Sequence, residues 1–538
     1  MLSIFLTNCA KTKKICFLQD FLSCTKVFTI NALYAILNIQ TKTIFATKTQ
    51  DFFRKHFKNR HYFAKMIYLN LKNRQRIMRL FNQIKHISRL SLYSPIYLLI
   101  CGFVTYFSWM TGNSLLGMTI LMLIMCVVLI INEDILPILP CLIYILFTVS
   151  DNNILNEDKT WPVMIVLAIL LIGAFISHLI SYPIKFKNYK LTIPLAAVTL
   201  ALFAGGIGYA SIKQYMFGII FMFSLGPCML IIYYLLRSYT RPPKSVDYKR
   251  YVCYIMLVLG LFVIAQMFTY FLRTDKPLVE LIRIDIINLG WGNRNGIATL
   301  LAISAPTCFY LAFGSKRFAW LFYAIGLTFY ACIVISFCRS GIFSIAITMP
   351  ILLIYSFAKG ANRSQLLITI CVFAIAISSL VLIKMDTVSE ILNRISDLTF
   401  TTTGRSALYE ESLICFLLNP MFGVGMGYTG NNLHLADFCI YWFHCTPLQV
   451  IASMGIVGVM AYGYYYFVRG KIMFSNLRRF NITLSLGIIA FEIQSMMDAG
   501  SFLPFPYVLI IVVLTAMLEH NNSQESKVFM QSINIVKE

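Results

Sequence analysis

Between Leu92 and Glu519 the chain is a close succession of apolar runs, at about 92–110, 115–132, 134–149, 161–182, 191–210, 215–236, 251–272, 296–314, 318–338, 341–358, 365–383, 446–467, 480–498 and 502–519. Runs of this length match the hydrocarbon thickness of a bilayer, which a helix crosses in about 20 residues. The backbone polar groups of each run must be satisfied inside the lipid, and a helix does this within one segment. A chain that is 59% hydrophobic and 12% charged has too little polar surface to cover a soluble globule. The expected fold is therefore an all-α polytopic integral membrane protein. The second and third runs are short for full crossings, so about 12–14 transmembrane helices are expected.

The formal net charge of +23 would ordinarily point to nucleic acid or acidic lipid. Its distribution argues otherwise. About seventeen of the 45 Lys and Arg lie before Ser91, against only Asp20 and Asp51. Residues 1–90 are thus a basic N-terminal segment with three open readings: a cytoplasmic tail on anionic lipid, a helical extension, or translated sequence upstream of a start at Met66 or Met78. No nucleic-acid module, protease triad or phosphate-loop sequence is present, so no nucleic-acid partner is expected. The fifteen cysteines show no metal-ligand rhythm and lie mostly in apolar runs, where they read as small hydrophobes. Cys439 and Cys445 flank His444, and a disulfide between them is not established by sequence.

Lys and Arg in the short connections assign the sides. The segments 183–190, 237–250, 314–318, 359–363 and 469–479 are basic and fall at alternate connections, whereas 151–160 and 498–502 are neutral or acidic. The positive-inside rule then places both termini in the cytoplasm. The same alternation puts Arg273–Asn295, the turn at Arg339 and one long loop over 385–445 on the outer face. Four regions follow: 1–90; N-terminal membrane helices over 91–290; a second membrane domain over 291–519 that includes the loop; and a cytoplasmic tail over 520–538.

The polar residues outside the lipid concentrate at outer-face helix starts. Arg339 opens a span in CRSG. Arg405, after Gly404, opens a predicted amphipathic helix over roughly 405–418 that stops before Pro420. His444 precedes Thr446 and Pro447, a favourable N-cap and N1 pair for a helix running to Phe467. Asn293 and Asn295 precede the span at 296. Helix N-termini carry unpaired N–H groups and partial positive charge, and with two permanent guanidinium charges they suit a phosphate-bearing ligand. A histidine beside such an end is disfavoured as imidazolium and is disposed to accept a proton. Together these features suggest transfer from a lipid-linked phosphate to a hydroxyl, with no need for a metal or other cofactor.

Each piece has a plainer alternative. Arginines at helix ends snorkel to headgroups. The glycines of GVGMG, including Gly423 and Gly425, follow Pro420 rather than a strand and form a turn, not a dinucleotide site. Glu492 lies inside a predicted span, where it is costly unless paired.

Four motifs in order resemble the O-antigen ligase and polymerase superfamily of bacterial envelope glycosyltransferases. HCTPLQVIASMGIVG (444–458) is similar to the family's histidine motif ending in paired glycines. GRSALYEESLICFLLNPMFGVGMG (404–427) looks like its Gly-Arg helix and Pro-x-x-Gly-x-Gly turn. CRSGIFS (338–344) resembles its Ser/Thr-Arg-Gly turn, and GNRNGIA (292–298) its Asn-Pro-Asn-x-x-Ala turn. Cys445 stands where Asn is usual, Ser453 where an acidic residue is common, and Arg294 where Pro is common. The resemblance implies that Arg339 and Arg405 engage an undecaprenyl-pyrophosphate-linked glycan and that His444 serves as the base on an acceptor hydroxyl. It also implies a bacterial cytoplasmic membrane location and an acceptor that is a glycan, lipid or protein hydroxyl. Of the family's activities the polymerase is preferred. The competing expectation is a secondary transporter or flippase of an anionic or lipid-linked substrate, which calls for broken helices near the midplane and an internal repeat. No repeat is visible.

Overall fold

The computed structural model describes residues 90–150, 160–184, 186–274, 287–360, 362–383, 385, 389, 405–429, 441–498 and 500–537. The basic segment at 1–89, Gly404 and Cys439 lie outside these residues. Among the described residues the structure is helical, with no strand and one isolated bridge between Leu289 and Gly292. The helices are α1 (Pro95–Met110), α2 (Ser114–Ile131), α3 (Leu136–Thr148, in short 3-10 and α pieces), α4 (Thr160–Ser181), α5 (Thr192–Ala204) and α6 (Ile212–Tyr239). There follow α7 (Tyr248–Arg273), α8 (Arg294–Phe313), α9 (Ala319–Ile335), α10 (Arg339–Lys359) and α11 (Arg363–Ile383). The last are α12 (Arg405–Leu418), α13 (Thr446–Phe474), α14 (Arg479–Ser495) and α15 (Leu509–Lys537).

Eight helices among the described residues are long and apolar enough to cross a membrane: α2, α4, α6, α7, α8, α10, α13 and the segment Pro504–Ser526 that includes the start of α15. The chain is thus an all-α polytopic membrane protein. The starts follow local chemistry. Ser94 caps α1 by accepting from Tyr97 N at 3.2 Å, with Pro95 at the first turn. Asp247 caps α7 through the N–H groups of Lys249 and Arg250.

Several spans differ from the sequence expectation. The run at 134–149 is not one helix, because Pro137 and Pro140 divide it into 3-10 and α pieces. The run at 480–498 is the 17-residue α14, which buries Asn481, Thr483, Ser485 and Gln494 against other helices. The segment expected as a tail from 520 continues α15 as helix to Lys537.

Helix α8 is the hub. It packs against α7, α9 and α14, and 94% of its apolar window is buried, against 17% for the lipid-facing α4. Small residues permit this approach, as between membrane helices generally. A Cβ on Gly487 would lie 2.8 Å from Ile303 O, and one on Gly341 would lie 2.7 Å from the Ala298 methyl.

The five basic connections meet at one end of the bundle. Lys190 N and Arg237 reach Glu519, at 3.0 and 3.6 Å; Lys249 and Arg478 both reach Glu525 at 3.3 Å. Arg250 donates to Gly314 O at 2.9 Å, Asn362 to Ser315 O at 2.8 Å, and Arg479 to Lys359 O at 2.8 Å. The starts of α8, α10 and α13 lie at the other ends of those same helices. The basic connections therefore lie at the end of the bundle away from the starts of α8, α10 and α13, whereas 151–159 lies outside the described residues.

Helix α13 carries the feature that positions the site. It runs to Phe474, beyond the expected Phe467, and is broken at Gly455 (φ 60°, ψ −151°). The break opens the bonds that Ile456 N and Val457 N would make to Ala452 O and Ser453 O. The turn after Pro420 supplies replacements for all four groups. Val424 N and Gly425 N donate to Ala452 O and Ser453 O at 2.8 and 3.1 Å, while Ile456 N and Val457 N donate to Pro420 O and Met421 O at 2.9 and 3.2 Å. An unsatisfied backbone group in lipid costs several kcal/mol, about 4 or more, so the break stands only because this turn fills it. Gly423 and Gly425, with φ of 64° and 89°, belong to that wedge, and neither lines the cavity described below.

Candidate functional site

Four helix starts, those of α8, α10, α12 and α13, converge around Asp498, just after α14. Asn293 caps α8, its side chain accepting from Asn295 N and Gly296 N at 3.0 and 3.3 Å. This fixes Asn295, which donates Nδ2 to Asp498 Oδ2 at 3.0 Å and accepts the Cys338 thiol on Oδ1 at 3.2 Å. Cys338 in turn caps α10, its Sγ accepting from Gly341 N at 3.3 Å. Gln494 holds the same corner from α14, donating to Asn295 O at 2.9 Å. His444 Nδ1 lies 3.0 Å from Asp498 Oδ1. Arg405, at the start of α12, donates to Met497 O at 2.5 Å. The structure therefore gathers the GNRNG turn, the CRSG turn, Arg405 and His444 at one place.

Asp498 sets the electrostatics. Burial pushes its carboxyl up, but the His444 hydrogen bond and charge, the Arg405 charge and the Asn295 amide together hold it below the ordinary carboxylate range. An ionised carboxylate only accepts, so Nδ1 of His444 donates in this bond, and in the neutral ring Nε2 is then the acceptor. His444 and Phe337 have φ of 50° and 52°, and among the described residues they are the non-glycines with positive φ. Each lies one residue before the N-cap of a helix that borders the site. Sparsely populated backbone of this kind concentrates at functional sites.

A cavity of about 310 Å³ opens here, within the usual range of ligand clefts, about 300–1,000 Å³. His444, Asp498, Asn295 and Gln494 form its polar side, and Trp291, Trp442, Phe491 and Tyr507 form aromatic walls. Among the described residues, Trp291 Nε1 and Gln494 Oε1 are buried without a hydrogen-bond partner, one donor and one acceptor among the cavity-lining residues. Close approach of Tyr507 depends on Gly296, where a Cβ would lie 2.0 Å from the Tyr507 hydroxyl oxygen.

The remaining candidates fall elsewhere. Arg339 is exposed at the first turn of α10, beside Cys338 but outside the cavity lining. Glu492 does not line the cavity: it pairs with Arg469 at 2.5 Å, and the guanidinium lies over the Tyr465 and Tyr466 rings, which gives the half-buried carboxylate the partner it requires. The N-cap of α13 is Cys445, not Thr446, whose hydroxyl instead bonds Ser495 Oγ at 2.6 Å. Cys445 is a free thiol. Around Glu411, Tyr428 and Tyr441 donate to the carboxylate, and these tyrosines pack with Cys415, Val424, Phe443 and, from α13, Ala452 in a small separate core.

Sequence reasoning missed Asp498, which entered it only as part of an acidic connection. The available signal was its position: a carboxylate at the end of a span on the face already assigned to His444. Asn293 lines the cavity and caps α8, its side chain bonding Asn295 N and Gly296 N. Replacing it with Ala should cost about 1 kcal/mol of stability, and with Gly only a few tenths. Thermal unfolding of the purified protein in detergent checks this order. Among the described residues no three His, Cys, Asp or Glu side chains gather as metal ligands. No family model and no curated protein matches the chain.

Proposed function

We propose that this protein is a lipid-dependent membrane glycosyltransferase, moving a glycan from an undecaprenyl-pyrophosphate-linked donor to an acceptor hydroxyl, in the manner of the O-antigen ligase and polymerase superfamily. The observation that carries the reading is the His444–Asp498 pair opening into a cavity with aromatic walls, with Arg405 beside it. Aromatic faces suit the apolar faces of sugar rings, and the unpartnered Trp291 N–H and Gln494 carbonyl suit hydroxyl groups. In the transfer, the acceptor oxygen bonds to the sugar carbon while the bond from that carbon to the diphosphate oxygen breaks. The acceptor proton passes to His444 Nε2, and the leaving diphosphate departs with the electron pair, its charge met by Arg405 and Arg339. Polymerisation is the form of the activity we take. The bundle sits in a cytoplasmic membrane with about 12–14 crossings, its basic connections inside and this site outside, in keeping with the positive-inside rule.

The broken α13 favours a transporter. Its opened backbone groups, however, are taken up by the Pro420–Gly425 turn and do not line the cavity. The two readings separate in proteoliposomes loaded with a purified lipid-linked oligosaccharide. A covalently extended or transferred glycan is the expected product; movement of the oligosaccharide across the bilayer with no new glycosidic bond sinks the transferase.

A further inference from the structure

A second cavity, of about 550 Å³, lies at the opposite end of the bundle, where the basic connections meet. Five cations line it (Lys249, Arg250, Lys359, Arg478 and Arg479) against two carboxylates, Asp247 and Glu525. The carboxylates are already shared. Glu525 takes both Lys249 and Arg478 at 3.3 Å, and Asp247 takes Arg250 at 3.4 Å while also capping α7. Positive charge is thus in excess around an open hollow.

Two of the arginines are held in place by helix ends. Arg250 donates one N–H to the carbonyl of Gly314, the C-cap of α8, and Arg479 one to that of Lys359, the last residue of α10. A guanidinium carries five N–H donors in a planar fork, so one such bond orients the group without exhausting it. The floor is aromatic: Lys249 lies over Phe480 at 5.9 Å and Arg479 over Phe313 at 5.6 Å. A cationic rim over an aromatic floor, at the end of membrane helices, matches a phosphate whose other side is apolar.

We propose that this cavity is a binding site for a phosphate-bearing anion, distinct from the transfer site and independent of its assignment. An anionic phospholipid headgroup and a soluble phosphate share that chemistry, and basic pockets between membrane helices commonly take the former. The test uses the full-length protein in nanodiscs of phosphatidylcholine alone and of phosphatidylcholine with phosphatidylglycerol, and in detergent with added inorganic phosphate. Binding to the folded state raises Tm, here by roughly 2–4 °C. A rise with phosphatidylglycerol only assigns the site to lipid; an equal rise with inorganic phosphate assigns it to a soluble anion. In Arg250→Gln/Arg479→Gln either rise should disappear. Because those arginines also hold helix ends, Lys359→Gln serves as a second variant that leaves both bonds in place, and it should roughly halve the rise. Equal Tm in both nanodiscs with no response to phosphate overturns the proposal, as does a full response in both variants.

Discussion

Replacing Asp498 by Asn should lower glycan transfer by on the order of 10³- to 10⁴-fold, about as much as removing His444 itself, while membrane insertion is retained. The carboxylate does two things that an amide cannot. In the proposed transfer it would fix the proton on His444 Nδ1, 3.0 Å away, leave Nε2 to receive the acceptor proton, and stabilise the imidazolium formed as that proton arrives. An Asn side chain can present its N–H to Nδ1 and hold the wrong tautomer in the same geometry. Because His444 and Asp498 act as one unit, the double variant should be little worse than either single variant. A near-additive double variant, or an Asp498→Asn protein of full activity, removes the pair from the mechanism.

The same carboxylate leaves a signature on stability. Its folded-state pKa is depressed, so its contribution is fully present above the unfolded value of an aspartate and is lost as pH falls through the folded value. Wild type should therefore lose stability on acidification below the ordinary carboxylate range, and the Asp498→Asn variant should lose less over that interval. Thermal unfolding in detergent at a series of pH values reads the difference.

Gly455→Ala should prevent the native fold, at a cost of about 3 kcal/mol or more. Its φ of 60° and ψ of −151° are essentially closed to residues with a Cβ, and the added methyl would lie 2.4 Å from Pro420 O and 2.6 Å from the Met421 carbonyl carbon. Those atoms cannot yield without giving up the bonds to Ile456 and Val457, and with them the turn that occupies the break. Gly463, further along α13, provides the contrast. A Cβ there meets nothing within 4 Å, so Gly463→Ala should be neutral or stabilising by up to about 1 kcal/mol. Size-exclusion profile and Tm of the two variants decide the matter; a Gly455→Ala protein as stable as wild type would show that the break is not held by that turn.

Much of the local structure was legible. The amphipathic helix expected over roughly 405–418 is observed at Arg405–Leu418, since its limits are written in the chain, a Gly-Arg start and Pro420 at the end. The cap at Asn293 follows equally directly from an Asn before an apolar run. The errors arise where a distant partner intervenes. Thr446 reads as an N-cap by type, but Ser495 from α14 claims its hydroxyl, and the cap passes to Cys445. Glu492 reads as a site candidate by its cost in lipid; Arg469 answers that cost from α13. The glycine pattern at 423–427 and Gly455 reads as two separate features, although they form one interlocked break.

By itself, the sequence determined that the described residues are helical and membrane-spanning, and that the basic connections share one end of the bundle. Transfer free energy and the charge bias of loops accumulate residue by residue along the chain, so both can be summed without knowing the fold. The tertiary structure alone decided that His444 meets Asp498, 54 residues away, that Asn295 and Cys338 support that carboxylate, and that α13 breaks where the Pro420 turn can fill it. These are properties of pairs. They exist only once separate helices have closed on one another, and nothing in the spacing of either partner specifies the other.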